Sequence, residues 1–130
     1  MIIDTSAIVA MLKVEPEAKD FASQVYSAGG ATLSAANYLE AGIVIDGTGD
    51  PVLSSELDIL IRELEIDIAP VTPEHAKIAR QAYRDFGKGS GHKAQLNFGD
   101  CFAYALAMER GEGLLYKGDD FEHAGLARVV

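Results

Sequence analysis

The apolar positions of this chain fall into short blocks separated by glycine, proline and acid, and their spacing changes from block to block. Met1-Ile2-Ile3 is an apolar triplet that ends at once on Asp4, a length that suits a buried strand better than a helix. Asp4-Thr5-Ser6 offers side-chain acceptors for the free amides of a helix start, and Ala7 to Leu12 continues apolar. Glu15-Pro16-Glu17 restarts a second helix, with proline near its first position and acids in its first turn. Phe21 and Val25 mark its apolar face and Gly29-Gly30 stops it. Ala31 to Ser34 reads as a second strand and Asn37 to Ile45 as a helix, broken by Gly47-Thr48-Gly49-Asp50-Pro51. Leu53, Leu57, Leu60, Ile61 and Leu64 recur at helical spacing, so a helix is predicted from Val52 to Leu64. Ile66 to Val71 alternates as a third strand, and Thr72-Pro73-Glu74 opens a helix that runs through Tyr83. Gly87 to Lys93 is a glycine-rich loop carrying Lys88 and Lys93, read as a mobile, solvated linker. From Asn97 to Met108 the pattern is apolar nearly all round, the mark of a helix buried on most sides. Leu114-Leu115-Tyr116 is a fourth strand, Lys117 to Phe121 a turn, and Ala127 to Val130 a fifth strand.

Short apolar strands alternating with helices predict an α/β fold in one domain across residues 1–130, with a central parallel sheet of five strands covered on both faces. In such a sheet the ligand site lies beyond the carboxyl ends of the strands.

Composition narrows the class. The chain is 48% apolar and 24% charged, which excludes disorder. No apolar run approaches the ~20 residues of a bilayer span, so no membrane partner is expected. The start lacks the basic segment of a signal peptide, and a lone cysteine, Cys101, makes neither an internal disulfide nor a cysteine zinc site; both favour the cytoplasm. The charge is the awkward property. Eleven basic residues against twenty acidic give −9, the wrong sign for binding nucleic acid through a basic surface. Either the substrate is not nucleic acid, or something cationic mediates.

Placing the acids helps to decide. Asp4 directly follows the first strand, and Asp119 and Asp120 the fourth; Glu40 and Asp100 lie in the first turns of their helices. Each has an ordinary structural reading: Asp4 as a helix cap, Glu40 and Asp100 as capping-box partners of Asn37 and Asn97, Asp119 and Asp120 as turn formers. Together they would gather at one end of the sheet. Packed carboxylates repel and raise one another's pKa, so a fold keeps them where cations neutralise them. Hard oxygen ligands suit Mg²⁺, with Mn²⁺ as the alternative. Phosphodiester hydrolysis by metal-activated water then needs no side-chain nucleophile. Cys101 reads as a small buried apolar residue. His75, His92 and His123 have no ligand spacing and read as surface residues. A phospho-acceptor receiver domain fails for want of an acceptor aspartate after the third strand.

Four stretches carry a resemblance: MIIDTSA at the N-terminus, SAANYLE at Ser34 to Glu40, NFGDCFAYALA at Asn97 to Ala107, and LLYKGDDF at Leu114 to Phe121. In order and spacing the chain resembles the PIN-domain ribonucleases, and among them the VapC-type toxins of toxin–antitoxin pairs. The resemblance implies a three-layer α/β/α PIN-like fold and a Mg²⁺-dependent endoribonuclease acting on RNA. It implies Asp4, Glu40 and Asp100 as metal-binding catalytic acids, Asp119 in preference to Asp120 as the fourth, and Thr5 and Ser6 in support. It also implies a homodimer and a cognate VapB-like antitoxin. That partner would place an arginine among the acids and an amphipathic helix along the segments Thr5 to Phe21 and Val52 to Leu64. The alternative is a PIN-like binding module without turnover.

Overall fold

The computed structural model describes residues 1–126. The elements run β1 (Ile2–Ile3), α1 (Thr5–Leu12), α2 (Ala18–Ser27), β2 (Ala31–Ser34), α3 (Ala35–Asp46), α4 (Pro51–Glu63), β3 (Ile66–Ala69), α5 (Pro73–Phe86), α6 (Phe98–Arg110), β4 (Leu114–Leu115) and α7 (Asp120–His123). Among the described residues the sheet has four parallel strands in the order β3-β2-β1-β4. The fifth strand expected at 127–130 lies outside the described residues.

The order of the strands positions the site. From β1 the chain moves outward to β2 and β3, then returns to the far side of β1 for β4. The winding direction therefore reverses between β1 and β4, and in an open parallel sheet that reversal leaves a crevice at the carboxyl ends of the two strands. Ile2 pairs in register with Leu114 and Ile3 with Leu115, so Asp4 leaves the sheet beside the residues that follow β4.

Successive strand residues point to opposite faces, and both faces are covered. Ile3, Leu33 and Leu115 enter one core with α1 to α4; Ile2 and Leu114 enter the other with α5 and α6. The result is the expected α/β/α sandwich. The Cys101 thiol is buried, and burial pushes its pKa up to about 11, which leaves it an inert core residue.

Local chemistry explains where boundaries differ from the expectation. α4 starts at Pro51 because Asp50 accepts from the N–H groups of Val52 and Leu53, at 2.9 and 3.3 Å, ahead of a proline whose missing N–H costs nothing there. β3 stops at Ala69 because Pro70 has no N–H for the ladder. The turn after β4 winds into the four-residue helix α7. The glycine-rich segment is closed at its base, where Lys88 N–H donates to Leu96 O at 2.9 Å and Leu96 N–H to Phe86 O at 2.8 Å, with Ala94 and Leu96 buried.

The expectation for one histidine is overturned. His75 is not a surface residue but is 4% exposed. Its N–H donates to Thr72 Oγ1 at 3.1 Å and its Nδ1 accepts from Thr72 N–H at 3.5 Å, a capping box at the start of α5. Its Nε2 faces Glu109 Oε1 at 2.8 Å, which ties α5 to α6. His92 and His123 are partly exposed, and His92 Nδ1 accepts from Ala94 N–H at 3.0 Å.

Candidate active site

Beyond the carboxyl ends of β1 and β4 lies an open cleft of about 430 Å³. Its lining includes Asp4, Thr5, Ser6, Glu40, Asp100 and Lys117.

Asp4 caps α1 and faces the cleft at once. Its Oδ2 accepts from Ser6 N–H at 3.0 Å, while its own N–H is held by Leu115 O at 3.0 Å. Its Oδ1 is buried with no hydrogen-bond partner among the described residues. Burial raises the Asp4 pKa to about 6; Ser6 works against that rise and the charge of Glu40 adds to it. Asp100 sits at the third position of α6. Its N–H donates to Asn97 Oδ1 at 2.8 Å and its Oδ2 accepts from Asn97 N–H at 2.9 Å, a closed capping box. Burial again leads in pushing its pKa to about 7, and Asp4, Glu40 and Asp120 raise it further. Both structural readings of these aspartates are therefore true, and neither accounts for two acids sharing one cleft.

Glu40 is placed differently from the capping box expected of it, because α3 begins at Ala35, before Asn37. Asn37 is fully buried; its Nδ2 donates to Gly99 O at 2.9 Å and to Glu40 Oε1 at 3.2 Å, joining α3 to the first turn of α6. Gly99 completes the arrangement. A Cβ there would collide with the Glu40 carboxylate, so only glycine lets the acid lie against α6. Neither role was singled out from the sequence, where the glycine of NFGD was part of a motif without a stated function. Thr5 supports from behind, its hydroxyl donating to Asn37 O at 3.1 Å. Ser6 Oγ accepts from Lys117 N–H at 2.9 Å, so it fixes the segment after β4.

Glu15 also lines the cleft, whereas the remaining predicted acids, Asp119 and Asp120, are not among the lining residues. Asp119 carries a mostly exposed side chain with Oδ2 3.9 Å from His123 Nε2. Asp120 is the one of the pair whose charge reaches Asp100. Lys88 and Lys93 do not line the cleft.

Hard oxygen donors, a buried carboxylate oxygen without a partner and mutual repulsion suit a divalent cation. Among the described residues no three His, Cys, Asp or Glu side chains form a cage for an ion by themselves. Magnesium is ordinarily held by one or two carboxylates with waters completing its shell, so the residues fit that ion.

Two apolar grooves flank Phe98, which is 77% exposed and packs edge-on against Phe102 at 5.0 Å. One lies between α5 and α6 beside Tyr83, the other between α3 and α6 beside Leu39 and Ile43. The apolar face of α4 expected to form a groove is instead largely spent on the core: Leu57 is buried and Leu53, Leu60 and Ile61 pack against it.

A parallel α/β/α sandwich with acids converging at the β1–β4 reversal is the arrangement of a PIN domain, and the comparisons with known proteins agree. The chain matches the PIN domain family over residues 1–126. It is 55% identical over 130 residues to ribonuclease VapC28 of Mycobacterium tuberculosis, covering 100% of this chain and 98% of the relative. Ribonuclease VapC30 of the same organism is 44% identical, with the same coverage. In fold the chain is similar to the crystal structure of Mycobacterium tuberculosis VapC20, described as a sarcin–ricin loop cleaving toxin: TM-score 0.73, 14% identity, 98% of this chain and 97% of that one. The chain belongs to the PIN-domain family, in its VapC branch.

Proposed function

We propose that this chain is a Mg²⁺-dependent endoribonuclease that acts as the toxin of a toxin–antitoxin pair and hydrolyses RNA phosphodiester bonds. The observation that carries the reading is Asp4: a buried carboxylate with a partnerless oxygen, sharing a cleft with Asp100 and Glu40. A protein built for binding alone gains nothing from such repulsion.

Asp4, Glu40 and Asp100 hold the ion. A bound magnesium supplies positive charge to the phosphodiester and lowers the pKa of the attacking water. The chain's own residues provide position. Ser6 N–H orients Asp4, Asn37 and the bare Gly99 backbone set Glu40, and the Asn97 capping box sets Asp100. With folded pKa values of about 6 and 7, both aspartates hold protons at mildly acidic pH, so cation binding releases protons and tightens as pH rises. Asp120, whose charge reaches Asp100, supplements the three more than Asp119; cleavage by Asp120→Asn and Asp119→Asn tests this, with the larger loss in Asp120→Asn.

The partners follow from the same reading. Net charge of −9 steers a basic segment to the cleft, so a VapB-like antitoxin with an arginine fits as inhibitor. The apolar surface around Phe98 suits a homodimer, and the setting is cytoplasmic. None of the described helices is long and apolar enough to cross a membrane. The deciding experiment incubates purified protein with total cellular RNA and Mg²⁺, mapping the cleaved ends, with EDTA as control. Cleavage abolished by EDTA supports the reading; RNA left intact under both conditions, with growth unaffected on overexpression, refutes it in favour of a binding module.

A further inference from the structure

Lys117 is the positively charged side chain among the cleft-lining residues. Its backbone N–H is held by Ser6 Oγ at 2.9 Å, which ties it to the same turn as Asp4. Its Nζ lies 3.2 Å from Glu15 Oε2 and 3.4 Å from Glu17 Oε2. The lysine and glutamate side chains are 37%, 33% and 35% exposed, so the ammonium faces solvent as well as the two acids. Ion pairs this exposed contribute little to stability, so a structural strut is a weak explanation for them. The glutamates are also set at some cost. They follow Val14, whose φ of +52° is a left-handed conformation that β-branched residues rarely adopt.

An ammonium carries three N–H donors, and two glutamates do not exhaust them. RNA entering a cleft lined by Asp4, Glu15, Glu40 and Asp100 meets repulsion along its backbone, and Lys117 is the one cation among the described lining residues, held between Glu15 and Glu17. We propose that Lys117 binds a backbone phosphate of the RNA next to the scissile bond, and that Glu15 and Glu17 set the strength of this contact by competing for the ammonium. The inference rests on the ribonuclease reading and adds to it a phosphate subsite with a built-in counterweight.

The two halves of the proposal act in opposite directions, which a strut cannot imitate. Breaking a strut from either side has the same effect. Removing a phosphate-binding cation weakens RNA binding, whereas neutralising its competitors strengthens it.

The test measures binding of a labelled mixed-sequence single-stranded RNA in EDTA, where binding is read without cleavage, and cleavage separately with Mg²⁺. Lys117→Met should raise the Kd about tenfold, the range of one charge-assisted contact. It should also flatten the salt dependence by about 0.7 in log–log slope, the share of one single-strand phosphate. Lys117→Arg should retain binding. Glu15→Gln/Glu17→Gln should lower the Kd several-fold, and should do so far less in the Lys117→Met background. Thermal melts confirm that each variant is folded. The inference is overturned if Lys117→Met binds like the parent, if the lysine and glutamate variants shift Kd in the same direction, or if the glutamate effect persists unchanged without Lys117. Failure of the parent protein to bind and cleave RNA at all would instead overturn the ribonuclease reading.

Discussion

Helices α5 and α6 pack against each other and begin with the same local device. At each start an uncharged polar residue accepts from the N–H three residues on, and the side chain of that third residue returns a bond to the cap: Thr72 with His75, Asn97 with Asp100. The two boxes nevertheless do different work. His75 is buried against Glu109, and its box closes a contact between helices. The box of Asp100 opens onto a cleft where Asp4 and Glu40 push its pKa up beyond what burial does. A helix start is thus a neutral frame; neighbouring charge decides whether it fastens the fold or equips a site.

The sharpest way to break this contrast is to neutralise one member of the acid cleft. Asp100→Asn keeps a side chain able to accept the capping bond and should lower RNA cleavage on the order of a thousandfold, as loss of a key charge-stabilising group does, while the folded state persists. Its metal-free melting temperature should equal or exceed that of the parent, since repulsion is relieved. Unfolding of the variant would make Asp100 a structural residue like His75.

Next in size is a change that touches no acid. Gly99→Ala should displace Glu40 and reduce cleavage about a hundredfold, the usual consequence of misplacing a group by an ångström. Gly42→Ala, where the nearest atom to an added Cβ is Asp46 Oδ2 at 4.0 Å, should leave cleavage intact.

Stability should separate the boxes in a third way. Mg²⁺ at a hundredfold excess over its Kd should stabilise the parent by about 2.7 kcal/mol, seen as a rising melting temperature, and should stabilise Asp100→Asn much less. His75→Ala should cost about 1–2 kcal/mol, as loss of a buried cap does, and leave the magnesium response and cleavage unchanged. Equal magnesium shifts in all three proteins would reduce the effect to screening.

A further contrast is the pH dependence without metal. A carboxyl group whose folded pKa is raised contributes stability that is present below its unfolded value and lost as pH rises through its folded value. With Asp4 at about 6 and Asp100 at about 7 against an ordinary 3.8, the metal-free protein should become steadily more stable as pH falls from about 7 to about 4. The slope should be shallower in Asp100→Asn, as urea titrations at several pH values would show.

What was legible in the sequence and what was not divides along the range of the interactions. The strands were readable because Ile2-Ile3 and Leu114-Leu115 are buried on both faces and leave no polar gap. Asp4 and Asp100 stood out because each interrupts an apolar block. His75 was misread because the partner that makes it a core residue, Glu109, lies on another helix. Gly99 was passed over because its purpose is to be close to Glu40, a contact across two helices that no spacing rule encodes. The choice between Asp119 and Asp120 depends on how α7 turns after β4, and two adjacent acids carry no sequence signal for that.

The pairing of β1 with β4 has a consequence for the birth of the protein. Ile2 N–H is bonded to Gly113 O, Asp4 N–H to Leu115 O and Ser6 Oγ to Lys117 N–H, so the first acid of the cleft is fixed by residues 111 positions later in the chain. A nascent chain that already carries Asp4, Glu40 and Asp100 still lacks the strand that seats Asp4. Domains of this kind close such long-range contacts late, because the loop entropy comes before the reward. The cleft is therefore assembled only after residues 113–117 have emerged and paired with the β1 segment, so a chain that already carries all three acids is not yet competent to act.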